Sequence, residues 1–460
     1  MNIRFYNARI LTMAEGMKIT EGELHVRGNR ISYVGMPGED MGPEAGAEVG
    51  KAEPGVGKAE ADGGKAEPNG GTWDREIDAG GNLLMPGFKN AHTHSGMTFL
   101  RSFADDLPLQ AWLNEQVFPM EAKLTGEDIY ELSKLAILEY LTSGITANFD
   151  MYLTPKTIAR ASTDMGFRTV LCGAVNDFSQ SVEEMETWYQ TLNGSHELIS
   201  FRLGFHAEYT TSEPLLREIA ALAKKYQAPV YTHNSETRTE VEQCLERTGM
   251  TPTAYLDSLG MFNYGGGGFH CVYLTEEDQE IFRRRGLAVI TNPGSNTKLA
   301  SGIAPISRMM EKGLVIGIGT DGPASNNCLD MFREMFLVTG LAKLKDRDAA
   351  AADADQVLGM ATMGGAAAMG LEDCDTLEPG KFADLVMIDL HQPNMQPLNN
   401  ISKNLVYSGS KQNVKLTMVN GRILYENGRF SVGEDPEEIY RKAQEITDRC
   451  KRRMYDESKK

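Results

Sequence analysis

The sequence lacks the features that would place the protein in a membrane or on a nucleic acid. None of its apolar stretches approaches the roughly 20 residues that a membrane span needs. The net charge at pH 7 is −18, and so acidic a chain repels nucleic-acid backbones and anionic membranes. We therefore expect neither partner, although a small nucleoside, which needs a pocket rather than a basic surface, is compatible with this charge.

Paired cysteines are also missing. The six cysteines are scattered and form no C-x-x-C pair. This excludes a disulfide scaffold and a thiolate zinc site, and it indicates free thiols in a reducing cytoplasm. The N-terminal stretch MNIRFYNARILTMAEG lacks a basic region followed by an apolar core, so we expect no signal peptide there.

The arrangement of strand-like and helix-like segments divides the chain into parts. Short strands occupy both ends, whereas residues 84–374 alternate short apolar strands with longer helical segments. Eight strand candidates can be counted, from LLMPGFKNAH at Leu83 to LVIGIGTDG at Leu314. This alternation over about 250 residues is typical of an α/β fold of the (β/α)8 TIM-barrel type.

We predict that residues 1–83 and 375–435 form one small β-sandwich domain built from both chain ends. Residues 436–460 have the periodicity of a surface helix. The first part contains an insertion at about 41–72, where GKAE recurs at Gly50, Gly57 and Gly64. Its Gly and Pro content and its lack of regularly spaced apolar residues exclude a coiled coil and predict a flexible extension without a catalytic role.

Histidine is scarce, yet two of the eight histidines lie in the short stretch NAHTHSGMT. His92 and His94 are two positions apart, so strand alternation would direct both side chains to one face. Two imidazoles on one face can share a metal ion. The simpler interpretation is two partly solvated histidines at the end of a strand, and the pair alone does not exclude it.

More polar residues fall at the ends of other strand candidates. His206, His233 and His270 end the fourth, fifth and sixth strands; Glu236 follows His233 by three positions; and Asp321 ends the eighth strand. The C-terminal strand ends of a barrel build its active site, so these side chains should converge. Three histidines and one aspartate would suit a divalent metal and leave a coordination position for water.

Five ordered motifs resemble the successive signatures of the amidohydrolase superfamily: PGFKNAHTHSGM, HNSET, FHCVYL, NPGSNTKLASGIAP and GTDGPASNN. The chain most resembles the branch of 5'-methylthioadenosine/S-adenosylhomocysteine deaminases, which lies near guanine deaminases and s-triazine chlorohydrolases. The resemblance extends from about Ile3 to Phe430, with the GKAE region as an insertion. It implies a metal-dependent hydrolytic deaminase of adenine nucleosides.

The resemblance also implies a role for each polar residue. One catalytic metal would be held by His92, His94, His233 and Asp321. Zinc suits three nitrogens and one oxygen, and iron or manganese are alternatives. In the substrate site, Trp112 would stack on the base, Glu121 would bind the ribose hydroxyls, and His206 would lie close by. Without the resemblance, Trp112 and Glu121 would be taken as a core aromatic and an exposed helix residue.

Our hypothesis for the mechanism uses three further groups. Asp321 takes a proton from the attacking water and later delivers it to the leaving amine. Glu236 protonates the ring nitrogen beside the attacked carbon, and His270 stabilises the oxygen of the tetrahedral intermediate.

Two positions depart from the pattern of the branch and concern the surroundings of the base. Glu208 stands in HAEY where His-Ala-Pro is common, and Thr291 stands before NP where histidine is usual. An alternative function is a chlorohydrolase, or a deaminase of a free base such as guanine, pterin or triazine. Trp112 and Glu121 favour a nucleoside, because a free base has no ribose. A non-catalytic assembly protein is another alternative, against which the intact polar set argues.

The loop after the third strand indicates which nucleoside is used. Members of this branch that handle S-adenosylhomocysteine carry arginines there, which match its carboxylate. The corresponding stretch, Cys172–Glu186, has no Arg or Lys and four acidic residues. We expect adenosine, 5'-deoxyadenosine or 5'-methylthioadenosine to be preferred, unless a basic residue reaches in from elsewhere, including another subunit of the expected homo-oligomer.

Overall fold

The computed structural model describes residues 1–38 and 73–457. The GKAE repeats lie outside the described residues, so the prediction about them stays a prediction. The strands of the described part are β1 (Asn2–Met13), β2 (Gly16–Arg27), β3 (Arg30–Gly35), β4 (Arg75–Asp78), β5 (Leu83–Pro86), β6 (Phe88–Thr93), β7 (Ile145–Met151), β8 (Arg168–Cys172), β9 (Ile199–Ala207), β10 (Val230–Asn234), β11 (Gly266–His270), β12 (Leu287–Thr291), β13 (Val315–Ile318), β14 (Leu385–Ile388), β15 (Val414–Val419), β16 (Arg422–Glu426) and β17 (Arg429–Phe430).

The helices of the described part are α1 (Leu109–Ala111), α2 (Phe118–Glu121), α3 (Gly126–Thr142), α4 (Pro155–Met165), α5 (Val182–Leu192), α6 (Glu213–Tyr226), α7 (Arg238–Thr248), α8 (Pro252–Ser258), α9 (Glu276–Arg285), α10 (Pro293–Lys298), α11 (Ile306–Glu311), α12 (Met331–Asp346), α13 (Ala354–Gly359), α14 (Gly365–Met369), α15 (Ile401–Tyr407) and α16 (Pro436–Glu457). Two π turns, Trp112–Val117 and Met360–Gly364, join α1 to α2 and α13 to α14. Among these helices, none combines the length and apolar character that crossing a bilayer requires.

Strands β6 to β13 follow one another in a parallel eight-stranded sheet that curls into a barrel. The predicted (β/α)8 fold is therefore confirmed. The first and last strands meet through the Asn90 amide, which accepts from Thr320 N at 2.8 Å and donates to Thr320 Oγ1 at 2.7 Å. Asp321 N also donates to His92 O at 3.0 Å. Closure of the barrel thus brings His92 and Asp321, which are far apart in sequence, to the same place.

Both chain ends contribute strands to one mixed sheet, in the part of the chain for which we predicted a small β-sandwich. Its strand order is β17-β16-β15-β14-β5-β1-β2-β3, and β4 pairs with β1. The C-terminal helix is present as α16, which buries Ile439, Ala443 and Ile446.

The expectation that LLMPGFKNAH is a single barrel strand was wrong. Leu83–Pro86 pairs with β1 and β14 in the end sheet, whereas Phe88–Thr93 opens the barrel. Gly87 lies between them, where a Cβ atom would approach Thr146 Cγ2 to 2.1 Å. Only glycine allows the chain to pass this close to β7, so the strand changes sheet at this residue.

Candidate active site

Four of the predicted residues meet at the C-terminal end of the barrel. One possible ligand atom from each of His92, His94, His233 and Asp321 lies within 4.8 Å of all the others. Asp321 Oδ1 is 3.2 Å from His94 Nε2 and 3.6 Å from His92 Nε2. Metal–ligand bonds to N and O are about 2.0–2.2 Å long, so two ligands of one ion lie at most about 4.4 Å apart. The four atoms are thus within a few tenths of an ångström of the spacing that one ion requires.

Two of the histidine rings are oriented by backbone carbonyls. His94 Nδ1 donates to Met151 O, and His233 Nδ1 donates to His206 O at 2.6 Å. In the neutral ring these bonds place the proton on Nδ1, so that Nε2 is the nitrogen available to a metal.

The His92 ring provides the test of whether a metal fits. It is fully buried and stacks on the Phe269 ring at 3.8 Å between centroids. Neither of its nitrogens has a hydrogen-bond partner within the described chain, and such a buried orphan costs about 1–3 kcal/mol. Burial lowers the pKa of His92 to about 3 and that of His233 well below its ordinary value. Both rings are therefore neutral and can offer a nitrogen lone pair to a metal. The residues thus fit a divalent metal.

Asp321 is held by residues that follow two strands, one in helix α10 and the other in the turn after β13. Ser295 Oγ and Ser325 Oγ donate to Asp321 Oδ2 at 2.6 and 2.7 Å, and Gly322 N donates to Oδ1 at 2.7 Å. Burial alone would raise the pKa of Asp321, but the adjacent His92 and His94 rings hold it well below its ordinary value.

The sequence analysis missed both serines, although each lies in a quoted motif, NPGSN and GPASNN. Buried Glu334 connects the segments that carry them, since it accepts from Gly294 N and Asn326 Nδ2 at 2.8 Å each.

Glu236 and His270 border the same cluster. His270 Nε2 is 3.8 Å from Glu236 Oε2 and 3.9 Å from Asp321 Oδ2, while its Nδ1 donates to Asn296 Oδ1 at 2.8 Å. Ser301 Oγ donates to Glu236 Oε1 at 3.2 Å. Burial raises the pKa of Glu236, so its protonated form is accessible nearer to neutrality than that of an exposed carboxyl.

A cavity opens from this cluster, and its wall combines apolar and aromatic side chains with a few polar groups, as is usual for small-molecule sites. The predicted substrate residues Trp112, Glu121 and His206 all line it. Burial lowers the pKa of His206 to about 4, so this ring is neutral. Burial raises the pKa of Glu121 to about 7 against the opposing effect of the Tyr152 hydroxyl.

The π turn explains how Trp112 and Glu121 can both line the cavity. Residues nine positions apart lie on opposite sides of a regular α-helix, which turns by about 100° per residue. The π turn at Trp112–Val117 accommodates one additional residue, as π turns at functional sites do. The spacing between Trp112 and Glu121 is therefore equivalent to eight positions of a regular helix, and residues eight positions apart lie on the same face.

The two residues that depart from the family pattern lie away from the cavity wall. Buried Glu208 forms an ion pair with Arg247 of α7 at 2.8 Å. Thr291 borders a different, small space beside Ile306 and Val338, between the barrel and α12. Neither residue lines the cavity, so neither replaces a contact to a bound base.

The cavity wall contains acidic residues but no Lys or Arg of the described chain. The acidic residues are Glu121, Glu236 and Asp321. The loop after β8 contributes Asn176, Phe178 and Ser179.

The barrel and the cluster at its C-terminal end define a class of protein, the hydrolases that hold a divalent metal in a (β/α)8 barrel. The model of the amidohydrolase family matches residues 83–424, and the chain belongs to this family. The resemblance seen in the sequence is therefore confirmed.

Individual relatives are similar over most of the chain. One is a 5-methylthioadenosine/S-adenosylhomocysteine deaminase of Caldanaerobacter subterraneus subsp. tengcongensis, 36% identical over 449 residues and 96% of each chain. A 5'-deoxyadenosine deaminase of Methanothermobacter thermautotrophicus is 39% identical over 369 residues, or 79% of this chain and 86% of that protein. A solved structure of an adenosine deaminase from Xanthomonas campestris with bound zinc has a TM-score of 0.87 and 30% identity, covering 98% of each chain.

Proposed function

We propose that this protein is a metal-dependent aminohydrolase that converts adenine nucleosides and water to the inosine analogues and ammonia. The observation that carries the proposal is the cluster of His92, His94, His233 and Asp321, with Glu236 and His270 beside it, at one end of the cavity. The names of the relatives support the choice of substrate class.

The metal that we propose is zinc, because three nitrogens and one oxygen suit it and a similar adenosine deaminase contains it. Its ligands would be His92, His94, His233 and Asp321. When bound, a divalent ion supplies Lewis acidity, which makes water a nucleophile at neutral pH.

The side chains around the cluster then move the protons. In the reaction a C–O bond forms at C6 of adenine and the C–N bond to the amino group breaks. Glu236 donates a proton to the adjacent ring nitrogen and regains one from the new hydroxyl group as the C–N bond breaks. Asp321 takes a proton from the attacking water and passes it to the departing ammonia. His270, close to both carboxyl groups, stabilises the new oxygen.

The remaining polar residues of the cavity would hold the nucleoside. Trp112 stacks on the base, Glu121 accepts hydrogen bonds from the ribose hydroxyls, and neutral His206 lies in the substrate site. The acidic wall further supports a substrate with an uncharged 5' group. A carboxylate at the 5' end would have no Lys or Arg partner among the residues that line the described cavity.

Two further proposals concern the cellular compartment and the oligomeric state. We propose that the enzyme acts in the cytoplasm, because its six cysteines are free thiols and disulfides are rare there. We also propose a homo-oligomer, because most protein oligomers are assembled from identical chains.

The test is a metal analysis of the purified protein combined with an ammonia-release screen. The screen should include adenosine, 5'-deoxyadenosine, 5'-methylthioadenosine, S-adenosylhomocysteine, guanine and a chlorotriazine. We expect about one divalent ion per chain and turnover of the nucleosides. Chloride release from the triazine or deamination of guanine, without turnover of any nucleoside, would contradict the proposal.

A further inference from the structure

The backbone between β10 and α7 has an unusual conformation. Ser235 has a φ of 52°, a region that residues other than glycine seldom adopt. The next residue is Glu236, whose carboxyl group lies in the cavity wall beside His270. Strained backbone persists only where its surroundings hold it in place, so other groups must hold this turn.

The side chain of Glu240 binds the backbone of this turn. Glu240 Oε1 accepts from Ser235 N and Oε2 accepts from Glu236 N, each at 2.8 Å. The side chain is buried, and within the described chain it takes part in no ion pair. A buried carboxylate without a cation is costly unless its oxygens are hydrogen-bonded. Here the backbone of the turn supplies those bonds.

The Glu236 side chain itself is held less firmly. Ser301 donates its one hydrogen bond in the described chain, at 3.2 Å, and the distance to His270 Nε2 is 3.8 Å. The direction of the Glu236 carboxyl group is therefore set mainly by the backbone from which it projects, and that backbone is bonded to Glu240.

We propose that Glu240 is a positioning residue for Glu236, fixing the turn so that the Glu236 carboxyl group reaches the ring nitrogen of the substrate. This inference rests on the proposed function, in which Glu236 is the proton donor. Glu240 acts through Glu236 and does not line the cavity itself.

A purely structural role is the competing explanation, because Glu240 also belongs to the first turn of α7. Thr237 Oγ1 accepts from Glu240 N at 3.2 Å, and Glu240 Oε2 accepts from Thr237 N at 3.4 Å. Thr237 thus caps the helix. The two bonds to Ser235 and Glu236 are shorter and lie outside the cap, so the two roles can be separated by mutation.

The matched variants are Glu240→Gln and Thr237→Ala. A glutamine has a single acceptor oxygen, so one of the two backbone N–H groups loses its partner. We expect Glu240→Gln to lower kcat at least tenfold while the bound metal is unchanged. Thr237→Ala removes the helix cap but leaves both bonds of the turn, and we expect its kcat to stay within threefold of that of the parent protein.

The double variant Glu236→Gln/Glu240→Gln distinguishes positioning from general damage. If Glu240 acts through Glu236, the kcat of the double variant should be no more than threefold below that of Glu236→Gln alone. A tenfold further loss, or a Glu240→Gln enzyme within threefold of the parent, would overturn the proposal.

A crystal structure of Glu240→Gln provides a readout that is independent of activity. We expect the Glu236 carboxyl group to move by more than about 1 Å, the scale of displacement that impairs catalysis, and an unmoved carboxyl group would overturn the inference. The proposed function fails separately, if the parent protein releases no ammonia from any adenine nucleoside.

Discussion

A substitution of Phe178 can test whether the absence of Lys and Arg from the described cavity wall determines which 5' group the substrate carries. The residue lines the cavity, its side chain is 61% exposed, and its ring contacts Phe118 at 5.4 Å between centroids. Among the described residues, Phe178 is hydrogen-bonded only through its backbone N–H, which donates to Asn176 Oδ1. Phe178→Arg should therefore preserve the loop. The substitution would bring a guanidinium group to a wall that has only carboxylates as charged groups.

We expect the parent protein to prefer 5'-methylthioadenosine to S-adenosylhomocysteine. A missing charge-assisted hydrogen bond corresponds to about 1.5–3 kcal/mol, or roughly ten- to more than a hundredfold in kcat/KM. Phe178→Arg should recover only part of this, because solvent screens an ion pair at so exposed a position. About 1 kcal/mol, or roughly a fivefold gain in the ratio of S-adenosylhomocysteine to 5'-methylthioadenosine activity, is the expected change.

The assay measures ammonia release from both substrates at low and high salt. Phe178→Leu is the matched control, since it loses the contact with the Phe118 ring without adding charge. Added salt should reduce the gain of the arginine variant and leave the leucine variant unaffected. Equal substrate ratios for the two variants, or a clear preference of the parent protein for S-adenosylhomocysteine, would refute the reasoning.

Three other outcomes are expected. His233→Ala should lose the bound metal, which elemental analysis would detect; unchanged metal content would remove His233 from the ligand set. Glu236→Gln should keep the fold and the metal but lower kcat at least about a hundredfold, and near-normal ammonia release would require another proton donor. Shortening Gly50–Gly71 should leave activity and melting temperature unchanged, because this stretch has few apolar residues to pack on a core; a sharp fall in either would show that it packs against the rest of the protein.

The residues of the cluster could be predicted because each belongs to a local pattern. His92, His94, His233 and Asp321 end apolar strands, and a parallel barrel brings strand ends together whatever their separation in sequence. Trp112 and Glu121 followed only from the resemblance, since nothing in the local sequence shows the additional residue of a π turn.

Other features depend on contacts that have no sequence pattern. The change of sheet at Gly87 depends on how closely Thr146 approaches the chain, and the periodicity of LLMPGFKNAH does not contain that distance. The support from Ser295, Ser325 and Glu240 consists of hydrogen bonds whose partners are set by loop conformation. Such bonds cannot be predicted before the loops are placed.

The π turn at Trp112–Val117 has a consequence for how this enzyme could diversify. Inserting one more residue there, absorbed as regular helix rather than as a π turn, would rotate Trp112 by about 100° relative to Glu121. The barrel strands and the residues of the metal cluster lie outside this segment and would keep their positions. Recognition of the substrate could therefore be altered by a change in chain length, in a single evolutionary step that leaves the chemical machinery as it is.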